Sequence, residues 1–391
     1  VDCRAPDQGV GPRHVSQPLV SLVIPTLNAG ARFGEVLSTL RSQRIPGGLE
    51  IVIIDSGSRD GTLELARAAG ARILTIARRS FHHSRTRNQA IAETRAELVV
   101  LTVQDALPKD DGWLARLIGP LAADPGVAGS YGLQSAPPTA SFVTRTQSAA
   151  WCESHGEATI KSLADPHLFW VMTPEQRLEL VRFDNVTSCL RRSVWESLPL
   201  PDYAYGEDMG WAKDALLAGH RLAFVPDAQV WHSHERGWRY ELRRAYADGL
   251  SRVLLVDWPS PSLSLREALT LLRRLFRTLA TRQHDSVTDP DVARALLIEE
   301  RRLCAPDLKL GVRLAQVYDS IYRFCLGLTN TAADRCAGDA FPEKAWTGLL
   351  RFATTVVVGQ NLGSNAVEAR KTPPFERSAW RVLDWLLNGN V

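Results

Sequence analysis

The chain lacks paired cysteines. Its six, Cys3, Cys152, Cys189, Cys304, Cys325 and Cys336, are scattered and never form Cys-x-x-Cys. This argues against a zinc site and a disulfide framework alike, and makes a reducing cytoplasm the expected compartment. An excess of one charge is also lacking. Against 46 Lys plus Arg stand 43 Asp plus Glu, a net of +3. No bulk field draws the chain to nucleic acid, and none is expected as a partner. Long hydrophobic runs are missing: a bilayer span needs about 18 apolar residues, and the nearest candidate, 347–359, is broken by Arg351. The first residues, with Asp2 and Asp7 and no apolar stretch, make no signal peptide. There is no internal repeat and no low-complexity segment.

What is present is a chain of 391 residues, 45% hydrophobic, long enough for about two domains. Residues 1–17 read as a polar tail. From 18 to about 132, strand and helix signals alternate. Val20 to Ile24, Glu50 to Ile54, Arg72 to Ile76 and Leu98 to Thr102 are short apolar or β-branched runs. Between them, Phe33, Val36, Leu37 and Leu40 fall on one helix face, Asp60 caps a helix from Thr62, and Thr86 to Glu93 is helix-like. Trp113, Leu114, Leu117 and Leu121 mark a further helix. Such alternation predicts an α/β fold, Rossmann-like, with a mostly parallel sheet flanked by helices. Ligands of such sheets sit outside the carboxyl ends of the strands.

The middle is less regular. It offers a helix near 142–154, a loop region at 163–174, and a strand near Asn185 to Leu190. A helix follows Glu207-Asp208, and strands are expected at 222–225 and 230–231. Beyond 235 helical spacing takes over, so 18–235 is expected as one domain and 236–391 as a mainly helical C-terminal region. Residues 235–282 hold ten Arg against five acidic residues. These helices either pack on the first domain or a second subunit, as in a homodimer, or present a basic surface to anionic lipid.

Four polar sites follow strand-like runs or open a helix. Asp55-Ser56-Gly57-Ser58 ends the second strand. Asp55 can accept from a base N–H or a ribose hydroxyl, and Gly57 lets backbone approach a ligand; an ordinary turn rich in cap residues is the plainer reading. Calcium is excluded, because Gly57, Arg59 and Ala66 stand where a calcium loop needs oxygen ligands. Arg87 and Asn88 open a helix, where cations and N–H groups meet phosphate. Gln104-Asp105 follows the fourth strand with one carboxylate. As a metal ligand Asp105 needs a partner, and His232 is the best candidate, with Mg2+ or Mn2+ as the ion. His234 decides nothing at this level. Glu207-Asp208 is a helix-capping pair or a catalytic one.

Together these residues resemble a known family. Val20 to Asn28, the Asp55 to Thr62 segment, Thr86-Arg87-Asn88, Glu207-Asp208 and His232 look like family 2 glycosyltransferases with the GT-A fold. Leu101 to Pro108, Phe183 to Trp195 and His232-Ser233-His234 are similar to bacterial rhamnosyltransferases of that family. The resemblance covers roughly residues 18–240. It implies an inverting, metal-dependent transfer of a sugar, rhamnose by the narrower likeness, in cell-surface polysaccharide synthesis. The donor would be dTDP-rhamnose or a UDP-sugar, and the acceptor a saccharide or lipid-linked saccharide. The enzyme would lie in the cytoplasm or peripherally on the inner face of the membrane. Pro25, Leu27 and Asp55 would line the nucleoside pocket, with Gly57, Asn88 and Gln104 nearby, and Arg87 would approach the nucleotide. Asp105 would be the metal-binding aspartate, His232 its late partner, Asp208 the general base, and Glu207 an acceptor-orienting or capping group. Val103 stands where the family's Asp-x-Asp has its first acid, a form that rhamnosyltransferase-like sequences share.

Two other classes remain. A nucleotidyltransferase also uses a sheet-borne nucleotide and a metal, but Pro25-Thr26-Leu27-Asn28 is no Gly-rich loop with Lys. A non-catalytic nucleotide-sugar-binding protein of the same fold would have no need of Asp55, Asp105, Asp208 and His232 together.

Overall fold

The computed structural model describes residues 20–258, apart from 154, 155, 204 and 235–237, together with 355, 356 and 360. The strands described are β1 (Val20–Thr26), β2 (Leu49–Asp55), β3 (Arg72–Thr75), β4 (Leu98–Thr102), β5 (Leu107–Pro108), β6 (Val127–Ser135), β7 (Thr159–Lys161), β8 (Thr187–Arg191) and β9 (Arg221–Trp231). The helices are α1 (Phe33–Arg41), α2 (Thr62–Ala68), α3 (His83–Ala92), α4 (Trp113–Ala123), α5 (Phe142–Glu153), α6 (His167–Val171), α7 (Pro174–Val181), α8 (Arg192–Ser197), α9 (Glu207–Leu217) and α10 (Trp238–Val256).

All the strands join one sheet in the order β3-β2-β1-β4-β8-β6-β9, and β5 and β7 both pair with β9. The block β3-β2-β1-β4 is parallel, as the alternation predicts. β8 then runs antiparallel to both β4 and β6, and β6 pairs parallel with β9, so the whole sheet is mixed. Side chains of the parallel strands alternate between two cores. Leu22, Ile24, Ile51, Ile53 and Val100 face α1 and α4, with Phe33, Leu37, Trp113 and Leu117. Val23, Val52, Ile54, Val99 and Leu101 face the other way, toward Ile91 of α3 and Trp211 of α9. Both faces are covered, which is why these strands read as continuous apolar runs. Trp113 and Trp211 are fully buried, and each indole N–H has an acceptor: Thr187 Oγ1 and the Leu198 carbonyl, both at 2.9 Å.

Several elements depart from the sequence expectation. The loop expected at 163–174 contains α6, with Phe169 buried and Trp170 and Val171 exposed. Arg177 of α7 holds it by donating to the Phe169 and Trp170 carbonyls. The two strands expected at 222–225 and 230–231 are one strand, β9. Pro226 interrupts it at no cost in pairing: the β6 register passes from Phe224 to Gln229, β7 pairs only with 222–224, and β5 only with 230–231.

Past residue 235, α10 packs on α7 and α9, with Leu242, Ala245 and Tyr246 buried. Most of the helical region expected at 236–391, including the basic stretch after 258 and the amphipathic stretch at 375–387, lies outside the described residues. Among the described residues no helix is long and apolar enough to cross a membrane.

Candidate active site

The carboxyl ends of β1, β2 and β4 carry a loop lattice. After β1, four successive backbone N–H groups each donate to a side chain. Leu27 donates to Gln104 Oε1 at 2.8 Å, Asn28 to Ser58 Oγ at 2.8 Å, Ala29 to Thr62 Oγ1 at 2.9 Å and Gly30 to Asp60 Oδ2 at 2.9 Å. Ser58, Asp60 and Thr62 thus serve the neighbouring loop. Asp55 is buried, and its oxygens accept from Thr26 Oγ1, Ser58 Oγ and the Gly57 and Ser58 N–H groups. Its acceptor positions are therefore taken up in shaping the turn, and a base N–H would have to displace one of these donors. Gly57 is exposed with φ +96°, a conformation that a side chain disfavours. Gln104 grips the Leu27 peptide from both sides, since its Nε2 also donates to the Leu27 carbonyl at 3.3 Å. Pro25 and Leu27 are half-buried at the carboxyl end of β1.

Arg87 and Asn88 do not open their helix. α3 starts at His83, so both sit in its second turn. Arg87 is buried and its Nη1 pairs with Glu207 Oε1 at 2.9 Å. Asn88 accepts from Trp195 Nε1 and the Leu200 N–H and donates to the Leu200 carbonyl. Both brace α3 against α9 and the segment leading into it, and their place in the second turn corrects the expectation that they open the helix. His82 caps α3 by accepting from the Arg85 N–H. Burial, reinforced by the charge of Arg87, pushes His83 down to about 4, so its ring is neutral.

Asp105 lies in the turn between β4 and β5. The short antiparallel pair of β5 with β9, Leu107 opposite Trp231, brings this turn against the end of β9. Alternate residues of an extended chain point the same way, and both His232 and His234 reach the carboxylate. His232 Nε2 lies 3.5 Å from Asp105 Oδ1, and His234 Nδ1 lies 3.7 Å from Oδ2. The two rings meet edge to face with centroids 4.7 Å apart. Ligand atoms of all three residues fall within 4.8 Å of one another, and among the described residues no other cluster of three is so placed. Burial opposes ionisation of Asp105, but the neighbouring His232 and His234 outweigh it and hold the carboxyl below its ordinary value.

The acidic pair opens α9. Gly206 before it has φ +78°, and a Cβ there would sit 3.0 Å from Ser251 Oγ on α10. Glu207 is buried and accepts from Arg87 and from Asn185 Nδ2. This commitment inside the protein leaves it a positioning group and not a second catalytic carboxylate. Asp208 is half-buried and accepts from the Met209 N–H at 2.8 Å and the Asn185 N–H at 3.4 Å. Desolvation, then the charges of Glu207 and Asp184, push its carboxyl up to about 8.

A chain of contacts joins the two halves. His232 Nδ1 lies 2.6 Å from Gln134 Oε1. Gln134 Nε2 donates to Asp184, which neighbours Asn185 and is felt by Asp208. Sequence reading missed Gln134, Asp184 and Asn185, which stand on ordinary-looking strand ends. The signal for His234 was present in its spacing two residues from His232.

Comparison with known proteins gives four likenesses. A family model described as "Glycosyl transferase family 2" matches residues 21–174. The O-antigen chain rhamnosyltransferase RfbN of Salmonella typhimurium is 31% identical over 239 residues, covering 59% of this chain and 71% of that protein. Its counterpart WbaN of Salmonella anatum is 31% identical over 241 residues, covering 60% and 72%. Among solved structures, the mannosyltransferase PcManGT from Pyrobaculum calidifontis, in complex with GDP-Man and Mn2+, is 21% identical with a TM-score of 0.47, covering 89% of this chain and 88% of that one.

Proposed function

The chain belongs to glycosyl transferase family 2, and from that premise we propose that it transfers rhamnose from dTDP-rhamnose to a saccharide hydroxyl, with inversion at the anomeric carbon. The observation that carries this reading is the joining of a carboxylate–imidazole cluster to a carboxylate of raised pKa through Gln134 and Asp184. One group suits a diphosphate-bound cation and the other suits proton abstraction. The rhamnosyltransferase names of two relatives support the choice of sugar.

In this mechanism Asp208 takes the proton of the acceptor hydroxyl as its oxygen attacks the anomeric carbon. The bond from that carbon to the diphosphate oxygen breaks on the opposite face. Arg87 and Asn185 hold Glu207 so that its charge stays beside Asp208 and keeps the base strong. The residues fit a divalent ion: Asp105 offers an oxygen, and His232 and His234 offer nitrogens. Two imidazoles favour Mn2+ over Mg2+. When bound, the ion would supply charge stabilisation to the leaving diphosphate.

The deciding experiment is a transfer assay over dTDP-, UDP- and GDP-sugars with a lipid-linked saccharide acceptor, followed by NMR of the product's anomeric centre. The reading expects turnover with dTDP-rhamnose and an inverted product. Preference for another sugar would correct the donor, and retention would remove the mechanism.

The pH dependence follows from the raised pKa of Asp208. Only the ionised form accepts a proton, so kcat/KM should climb with pH and level off above about 8. A profile that is flat between about pH 6 and 9 would assign the base elsewhere.

The acceptor is proposed to be carried on a lipid, with the enzyme peripheral on the cytoplasmic face of the membrane. Each basic residue near anionic lipid contributes roughly 1 kcal/mol, and residues 235–282 are rich in Arg. Co-sedimentation with anionic vesicles at low salt, lost at high salt and absent with neutral vesicles, is expected. No binding at low salt would leave the basic stretch as a packing element.

A further inference from the structure

A histidine between two acceptors faces a choice of tautomer. Asp105 lies on the Nε2 side of His232 and Gln134 on the Nδ1 side. If Asp105 fixed the choice, the ring proton would sit on Nε2 and block the position a metal needs. We propose that Gln134 is the positioning residue that makes His232 a ligand: its Oε1 takes the Nδ1 proton and leaves the Nε2 lone pair facing Asp105. The proposal rests on the reading of Asp105, His232 and His234 as a metal site.

Asp184 as a carboxylate only accepts, so the side of Gln134 that meets it must be the amide NH2. That fixes the amide's orientation and turns Oε1 toward His232 Nδ1, 2.6 Å away. An oxygen with no proton requires a donor opposite it, so Nδ1 carries the hydrogen. A neutral ring protonated there has its lone pair on Nε2. Asp184 is itself anchored, since its Oδ1 accepts the Val186 N–H at 2.9 Å. The backbone is fixed as well: the His232 N–H donates to the Ser135 carbonyl at 2.9 Å, and Gln134 pairs with Val230 in the β6–β9 register. Orientation therefore passes one way, from the backbone just before β8 through Asp184 and Gln134 to the imidazole. Such outer partners set both tautomer and basicity of metal-bound histidines.

The test uses the full chain, metal-free, with histidines labelled with 15N. Long-range 1H–15N correlation reads the His232 tautomer, and electron paramagnetic resonance of free Mn2+ reads binding. In the wild type the Nδ1–H tautomer is expected. In Gln134→Met, which keeps volume and removes the acceptor, the proton should move to Nε2 and Mn2+ affinity should fall by about 10- to 100-fold. The exchanged pair Gln134→Glu with Asp184→Asn keeps an acceptor toward His232 and a donor toward residue 134, and should restore both the tautomer and the affinity. If Gln134→Met does not fold, Gln134→Leu carries the same expectation. Mn2+ affinity within about twofold of wild type in Gln134→Met, with the tautomer unchanged, overturns the proposal and leaves the metal site standing. Mn2+ binding that is absent from the wild type, or unaffected by His232→Ala, overturns the metal reading and this proposal with it.

Discussion

Asp208→Asn should lower transfer by about 100- to 10,000-fold, the usual contribution of a positioned general base, and leave donor affinity nearly unchanged. Asn keeps the shape and, through its one amide oxygen, the shorter bond from the Met209 N–H, gives up the 3.4 Å bond from the Asn185 N–H, and cannot take a proton. Loss of fold cannot imitate this result. The folded-state pKa of Asp208 is raised from 3.8 to about 8, so the native protein holds this proton more tightly than the unfolded chain. A raised carboxyl pKa contributes stability at low pH, and that contribution is lost as pH rises from about 4 to about 8. Asn mimics the protonated form, so near pH 8 the variant should melt at or above the wild-type temperature. Donor calorimetry, turnover and a melting curve give the three readings. Activity within a few-fold of wild type would remove Asp208 as the base.

Asp105→Ala should cost about 100-fold or more in kcat/KM, corresponding to about 3 kcal/mol of lost charge stabilisation in the transition state. Asp105 is the only carboxylate of the cluster, and without it two neutral imidazoles face a diphosphate-bound cation. His234→Ala should be milder, since Asp105 and His232 remain. Chelator should reproduce the loss in the wild type, and added Mn2+ should reverse it for the wild type but not for Asp105→Ala. Full activity in chelator would leave Arg side chains to stabilise the leaving group.

The parallel half of the fold was legible because its signals are local. Strands buried on both faces write themselves as runs such as Val-Ser-Leu-Val-Ile at 20–24, and α1 shows its face at 33, 36, 37 and 40. Asp105, Asp208 and His232 stand out in the sequence because each lies where such a signal ends. What could not be read depends on which strands lie side by side. β6 carries Gln134, but nothing local says that it will lie beside β9 and meet His232. Asp184 and Asn185 precede β8, and their importance comes from the antiparallel insertion of β8 between β4 and β6. The place of Arg87 and Asn88 in their helix was misread for a related reason. A basic helix start looks like a phosphate site, whereas Glu207 and the Leu200 segment arrive from more than a hundred residues away and take up both side chains. The Asp55 to Thr62 segment likewise looked like a ligand loop, and its side chains brace the loop after β1.

The central claim is that one cation site and one base share the carboxyl end of this sheet. Its most direct test is anomalous diffraction from a crystal of the protein with Mn2+ and dTDP-rhamnose. The account predicts a manganese peak bonded to Asp105 and His232, with the diphosphate on its open side and the sugar's anomeric carbon between the ion and Asp208. A manganese peak away from Asp105, or a donor whose anomeric carbon faces away from Asp208, would contradict it.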